Sequence, residues 1–162
     1  MRSKLAGFSL IELLVVVAVI LIIAAIAIPN LLRSRMVANE ASAVASLRSI
    51  NTSQVVYQST YGPGFAPNLL DLSDGGTPAN CVSPTLPTST SSCLIDSALA
   101  TGTKAGYRFT YGPISGGAVV ASYTVKGDPT TTGAGQRHFF SDDTLVIRVN
   151  ALTAATSTDP PI

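Results

Sequence analysis

The chain of 162 residues has no tryptophan, one histidine and two cysteines, and only 12% of its residues are charged. That is about half the charge share of a usual soluble domain. One histidine leaves little room for a His-based metal or catalytic cluster. Two cysteines are too few for a disulfide scaffold or a four-ligand zinc site. Ten Lys+Arg face nine acids, for a net charge of +1, which argues against the broad basic face of a nucleic-acid binder. What the chain does have is apolar surface. Its mean hydropathy is +0.40, and the excess is local: of the 21 residues from 8 to 28, 19 are apolar, the exceptions being Ser9 and Glu12. A simple soluble cytosolic enzyme does not fit this pattern. The length suits one domain, or one domain with an appendage.

Arg2 and Lys4 are the only side-chain charges in residues 1–7, and a short basic leader before an apolar block stays on the cytoplasmic side of a membrane. Residues 8–28, as a helix, span roughly 31 Å, about one bilayer core. This is long for the apolar part of a cleavable secretory signal. Ala25-Ile26-Ala27 fits the small-residue cleavage pattern but lies inside the apolar run. Glu12 breaks the run. A carboxylate in lipid costs a few kcal/mol, so it is either near enough to the interface to snorkel or functional. A functional Glu12 needs a cation, and residues 8–28 contain none. A cut before Phe8 would create one, the new α-amino group, about a turn away in the same chain. In a neighbouring chain displaced along the axis that amine meets Glu12 directly.

Gly7-Phe8-Ser9-Leu10-Ile11-Glu12, after a basic leader and before an unbroken apolar helix, resembles the type IV prepilin signal. The seven-residue leader and the Phe start resemble the type IVa branch, and the likeness covers residues 1 to about 60. The resemblance implies that a membrane aspartyl peptidase cuts after Gly7 and methylates the new N-terminus at Phe8. It implies that Glu12, with Phe8, serves filament assembly. Gly7 suits the cut, because a residue without a side chain lets extended backbone enter a narrow cleft. The apolar helix would first anchor a single-pass precursor in the inner membrane, then become the core of a homopolymer built through its N-terminal helices. Ala24, Ala25 and Ala27 would permit close helix approach. Repeated head-to-tail contacts that do not close a ring make an open filament. The implied partners are further copies of the chain, the prepilin peptidase/methyltransferase and a pilus assembly platform. No cofactor and no small-molecule substrate are implied.

Pro29 removes a helix hydrogen bond and should kink or loosen the helix near Ala25–Ile28, a weak point or break within one long helix, the other reading being that Pro29-Asn30 ends the membrane helix. Family members commonly have a proline here. Arg33 and Arg35 follow, and compete with Arg2 and Lys4 in the charge rule for orientation. Residues 31–60 keep helical spacing, with Ala43, Leu47, Ile50 and Tyr57 on one face and Arg33, Arg35, Asn39, Glu40, Ser42, Arg48 and Gln58 elsewhere on the surface. Tyr61-Gly62-Pro63-Gly64 stops the helix. From Phe8 to Thr60 it would run about 80 Å.

The expected fold is therefore α+β. A leader spans 1–7, a transmembrane or filament-core helix 8–29, its amphipathic continuation 30–61, and a head 62–162. In the head, Leu69–Leu72 suggests a helical turn. Cys81 and Cys93 enclose residues 82–92. In an oxidising compartment they should form one disulfide worth about 3 kcal/mol, the other readings being two free thiols or half of a metal site. Many pilins carry their disulfide near the C-terminus, so this loop does not map onto theirs. Period-2 alternation gives four antiparallel strands, around Tyr107–Tyr111, Val119–Val125, Arg137–Phe140 and Leu145–Val149, joined by Gly112–Gly117, Gly127–Gly135 and Ser141–Asp143. The tail Thr153–Ile162 reads as frayed.

Other candidates are weaker. His138 beside Phe139 and Phe140 reads as a structural strand histidine. Asp128, Asp142 and Asp143 lack a regular string of calcium ligands and read as turn residues. No metal site is expected. Asn51-Thr52-Ser53 fits an N-glycosylation pattern but lies on a helix. The hydroxyl-rich stretch 85–92 suits O-linked sugars. The aromatics form no continuous series along the helix. The leading reading is a structural subunit of a type IV pilus, with adhesion, twitching motility or DNA uptake as outputs. The alternatives are a minor pilin, a pseudopilin of a type II secretion system working as a periplasmic piston, or a membrane-anchored periplasmic enzyme. The enzyme requires a catalytic cluster that the sequence does not display.

Overall fold

The structure, a computed structural model, describes residues 9–82 and 85–162. The leader, Gly7 and Phe8 lie outside the described residues. The chain divides into two compact units, Met1–Arg35 and Met36–Ile162.

Helix α1 runs over Leu10–Tyr61. Ser9-Leu10-Ile11-Glu12 has the S-x-x-E spacing of a helix start. The Glu12 carboxylate accepts the Ser9 backbone N–H at 2.9 Å. The Ser9 carbonyl accepts the Leu13 N–H at 3.2 Å. At Pro29, the expected weak point of one long helix, α1 continues. Proline removes one donor and crowds the carbonyl four residues back. The next residue adds a local bond, the Asn30 side-chain amide donating to the Ile26 carbonyl at 3.1 Å.

In the second unit, Ala43, Leu47, Ile50 and Tyr57 are buried on one face of α1. Full burial of Leu47 and Ile50 contributes about 1.5–3 kcal/mol each. They join a core with Leu72, Leu99, Tyr107, Phe109, Tyr123, Val125 and Phe139. The helix stops at Tyr61, where Gly62 has φ +121°. Past a turn region over Leu69–Gly76 and a 3-10 turn at Pro78–Cys81, a four-residue helix α2 (Ser97–Ala100) is capped by the Asp96 carboxylate on the Leu99 N–H at 2.9 Å.

The sheet has five antiparallel strands in sequential order, β1 (Thr103–Lys104), β2 (Tyr107–Ser115), β3 (Val120–Pro129), β4 (His138–Asp142) and β5 (Arg148–Asn150). The added strand is β1. It pairs Lys104 with Tyr107 across a two-residue turn in which Ala105 and Gly106 both have positive φ, 49° and 75°. That geometry favours Asn-Gly, and alanine there hides the signal. Strands β2 and β3 also outrun the expected alternation, through Gly112-Pro113 and through Gly127-Asp128-Pro129. The tail is not frayed. The Pro160 carbonyl accepts the Val149 N–H at 3.0 Å and the Ile147 carbonyl accepts the Ile162 N–H at 3.1 Å. The Asp159 carboxylate accepts from Asn150 and from the Thr156 N–H, at 2.9 and 2.6 Å. The tail thus covers the outer edge of β5, where unpaired backbone would otherwise be exposed.

The loop after β3 is shaped by one close approach. A Cβ on Gly135 would collide with the Tyr107 ring. Tyr107 is fully buried, with its hydroxyl donating to the Arg137 carbonyl at 2.9 Å. Gly135→Ala should therefore destabilise the head by about 1–3 kcal/mol through overpacking. A denaturant midpoint equal to that of the parent would show that the loop moves aside freely.

Candidate functional site

The site candidate in the first unit is the surface of α1 itself. Every described side chain from Ser9 to Arg35 is exposed except half-buried Ala24. The apolar ones include Leu10 at 79% and Leu32 at 55% exposure. By length and composition the helix can cross a membrane. Glu12 is the one acid in this stretch, flanked on its face by Val15 and Val16. None of the ion pairs among the described residues includes it. Its carboxylate closes the helix start, and no cation among the described residues pairs with it.

The second unit holds its part of α1 with polar side chains as well as apolar ones. Glu40, expected on the surface, is only 6% exposed. Its carboxylate accepts the Gln136 N–H at 2.9 Å, the Arg137 N–H at 3.3 Å and the Arg137 Nε–H at 2.7 Å. Asn51 donates to Ser141 Oγ at 2.7 Å and accepts the Tyr123 hydroxyl at 3.1 Å. Fully buried Gln54 donates to the Tyr111 hydroxyl and accepts the Ala66 N–H, both at 2.9 Å. Ser53 reaches the Leu94 carbonyl at 3.2 Å and Tyr57 the Ser89 carbonyl at 2.9 Å. Buried polar groups hold only when paired, so these bonds fix the rotation of α1 against the sheet. Helical spacing alone cannot reveal this. Glu40 and Gln54 look like solvated residues until their partners, 96 and 12 residues later, are in place.

Electrostatics follow from the packing. Burial works against the Glu40 charge, but the Gln136 N–H and the Arg137 side chain and N–H outweigh it, holding the carboxyl below its ordinary value. Burial, with the Glu40 charge nearby, pushes the Tyr107 phenol up to about 12. Burial also raises Tyr111 and Tyr123. None of the three ionises at neutral pH.

The other residues singled out from sequence are dispersed. Cys81 and Cys93 are joined in a disulfide with Cα atoms 5.7 Å apart, closing the loop that contains the stretch 85–92. His138 Nδ1 lies 2.6 Å from Asp128 Oδ1 across β3 and β4. Asp142 turns the chain by accepting the Thr144 N–H at 3.1 Å. Asp128, Asp142 and Asp143 do not converge, and no metal-sized cluster of His, Cys, Asp or Glu occurs among the described residues. Asn51 and Ser53 of the glycosylation pattern are buried. Tyr57 and Tyr61 make an aromatic pair at 5.0 Å, confined to the end of α1.

Because the Glu40 carboxyl is lowered on folding, its contribution to stability is present above the ordinary glutamate value and is lost as pH falls through the folded value. Glu40→Gln should cost about 1.5–3 kcal/mol at neutral pH and flatten the fall in head stability below about pH 4.3. Denaturant melts of both proteins across that range check this. An unchanged acid slope in the variant would remove Glu40 from the account.

Comparison with known proteins bears on the N-terminal part first. Residues 2–28 match the family model described as the prokaryotic N-terminal methylation motif. The chain is 44% identical over 77 residues to the type IV wide pilus major component PilA4 of Thermus thermophilus. That similarity takes in 46% of this chain and 58% of the relative, so less than two thirds of the relative's length is spanned. No solved structure matches the chain significantly. By its methylation motif and over this 77-residue stretch, the chain is similar to type IV pilins.

Proposed function

We propose that the chain is a structural subunit of a type IV pilus filament, cleaved after Gly7 and N-methylated at Phe8 before it polymerises through its N-terminal helix. The observation that carries this reading is the exposed apolar surface of α1 from Leu10 to Leu32, headed by a methylation motif. Such a surface exceeds what a monomer leaves in water. A bilayer satisfies it first, in a precursor anchored in the inner membrane. Neighbouring copies satisfy it next, in an extracellular filament. The chain's part in both states is mechanical: to hold a continuous helix, to present small residues where helices approach, and to carry a head stiffened by buried hydrogen bonds and a disulfide. The role is non-enzymatic. The partners in this reading are the peptidase/methyltransferase, an assembly platform and further copies of the chain.

Glu12 gives the assembly step its chemistry. Cleavage before Phe8 frees an α-amino group, cationic at neutral pH with a reference pKa of about 8. In an apolar filament core that cation and the Glu12 carboxylate are each costly alone and tolerable together. A neighbour displaced along the axis brings them together, so docking and charge pairing coincide.

Glu12→Gln separates this role from helix capping, because the amide oxygen still accepts the Ser9 N–H while the charge is gone. Removing one partner of a buried pair costs about 3–5 kcal/mol. Surface filaments should fall by more than tenfold on that scale, with the amount of subunit in the membrane fraction unchanged. Normal filaments from the variant would contradict the docking role.

A further inference from the structure

Two arginines at the far end of the apolar surface have no assigned role. Arg33 and Arg35 are exposed, and none of the ion pairs among the described residues includes either. At 100° per residue they project to opposite sides of α1. On the N-terminal side of Arg33, Leu31 and Leu32 are 54% and 55% exposed and continue the apolar surface beyond Pro29. Pro29-Asn30 offers no natural end to a membrane span, because the helix is unbroken there and the Asn30 amide is spent on the Ile26 carbonyl.

Two registers are then possible for a hydrocarbon core of about 30 Å. A span over residues 8–28 submerges Glu12 and leaves Leu31 and Leu32 in the interface. A span over residues 13–32, also about 30 Å as a helix, places Glu12 at one boundary and Arg33 at the other. The second register avoids burying a carboxylate, which costs a few kcal/mol. It also covers the two leucines. It sets both guanidinium groups at the depth of lipid phosphates, with which they form charge-assisted, fork-shaped hydrogen bonds.

We propose that Arg33 and Arg35 bind phosphodiester headgroups of the outer face of the bilayer and so set the membrane register of the precursor at residues 13–32, with Glu12 held at the opposite interface. This rests on the membrane-anchored reading above. It adds a device for presentation: Glu12 stays close to water until a neighbouring chain takes it up, so the acid is not committed to hydrocarbon before assembly.

The test uses the full-length precursor in phosphatidylethanolamine–phosphatidylglycerol vesicles. Single cysteines at Ile28, Leu32, Ser34 and Val37 are labelled with a membrane-impermeant maleimide under non-reducing conditions, where Cys81 and Cys93 stay bonded. Labelling should be blocked at Ile28→Cys and Leu32→Cys and fast at Ser34→Cys and Val37→Cys. Combining Arg33→Gln with Arg35→Gln should speed labelling at Leu32→Cys by roughly tenfold as the span slides toward residues 8–28, and the two lysine substitutions should restore most of its protection. A boundary at Ile28, or one that the glutamines leave in place, would overturn the anchor while keeping the membrane reading. Fast labelling at all four positions would overturn both.

Discussion

An apolar helix surface left exposed among the described residues cannot stay in water, and the proposed function follows from that constraint. From Leu10 to Leu32 almost every side chain of α1 is both apolar and exposed. Burial of such surface is favourable by about 25 cal/mol per Å², so the drive to cover it exceeds the stability of a typical domain. Lipid covers it without specificity. Neighbouring helices cover it with geometry. The single acid at its start and the two arginines at its end are the only charges that give a uniform surface a direction and a register.

The second unit answers a different demand. In the proposed filament a subunit needs its helix fixed to its head, and apolar packing alone permits sliding and rotation. The hydrogen bonds of Glu40, Asn51 and Gln54 reach three separate parts of the head: the loop before β4, the middle of the sheet, and the segment after α1. Each is directional, and each leaves an unsatisfied buried group if the helix turns. The disulfide closes the loop after the 3-10 turn, and the tail seals β5.

Much of this was legible in the sequence because it rests on local chemistry. The apolar block, the stop at Tyr61–Gly64, the stripe Ala43, Leu47, Ile50 and Tyr57, and the strand alternation around Tyr107–Tyr111 all depend on residues close together in the chain. What was not legible depends on distant partners or on unusual residues in standard roles. Glu40 looks solvated until Gln136 and Arg137 arrive. The β1–β2 turn uses Ala105 where asparagine would have announced it. The polar tail, poor in apolar residues, is held by backbone pairing to β5 and by Asp159, neither of which leaves a periodic trace. The proposed site residues divide in the same way: Gly7, Phe8 and Glu12 are proposed from pattern alone, while the role proposed for Arg33 and Arg35 emerges only with an unbroken helix between them and Glu12.

The most direct test of the central claim is intact-mass analysis of the chain recovered from sheared surface filaments, alongside the cell-envelope fraction. The account predicts abundant chain in the filaments that begins at a methylated Phe8 and is two hydrogens lighter than the dithiol form. A chain that keeps Met1–Gly7 in every fraction would contradict it, and with it the pairing of Glu12 with a new N-terminus.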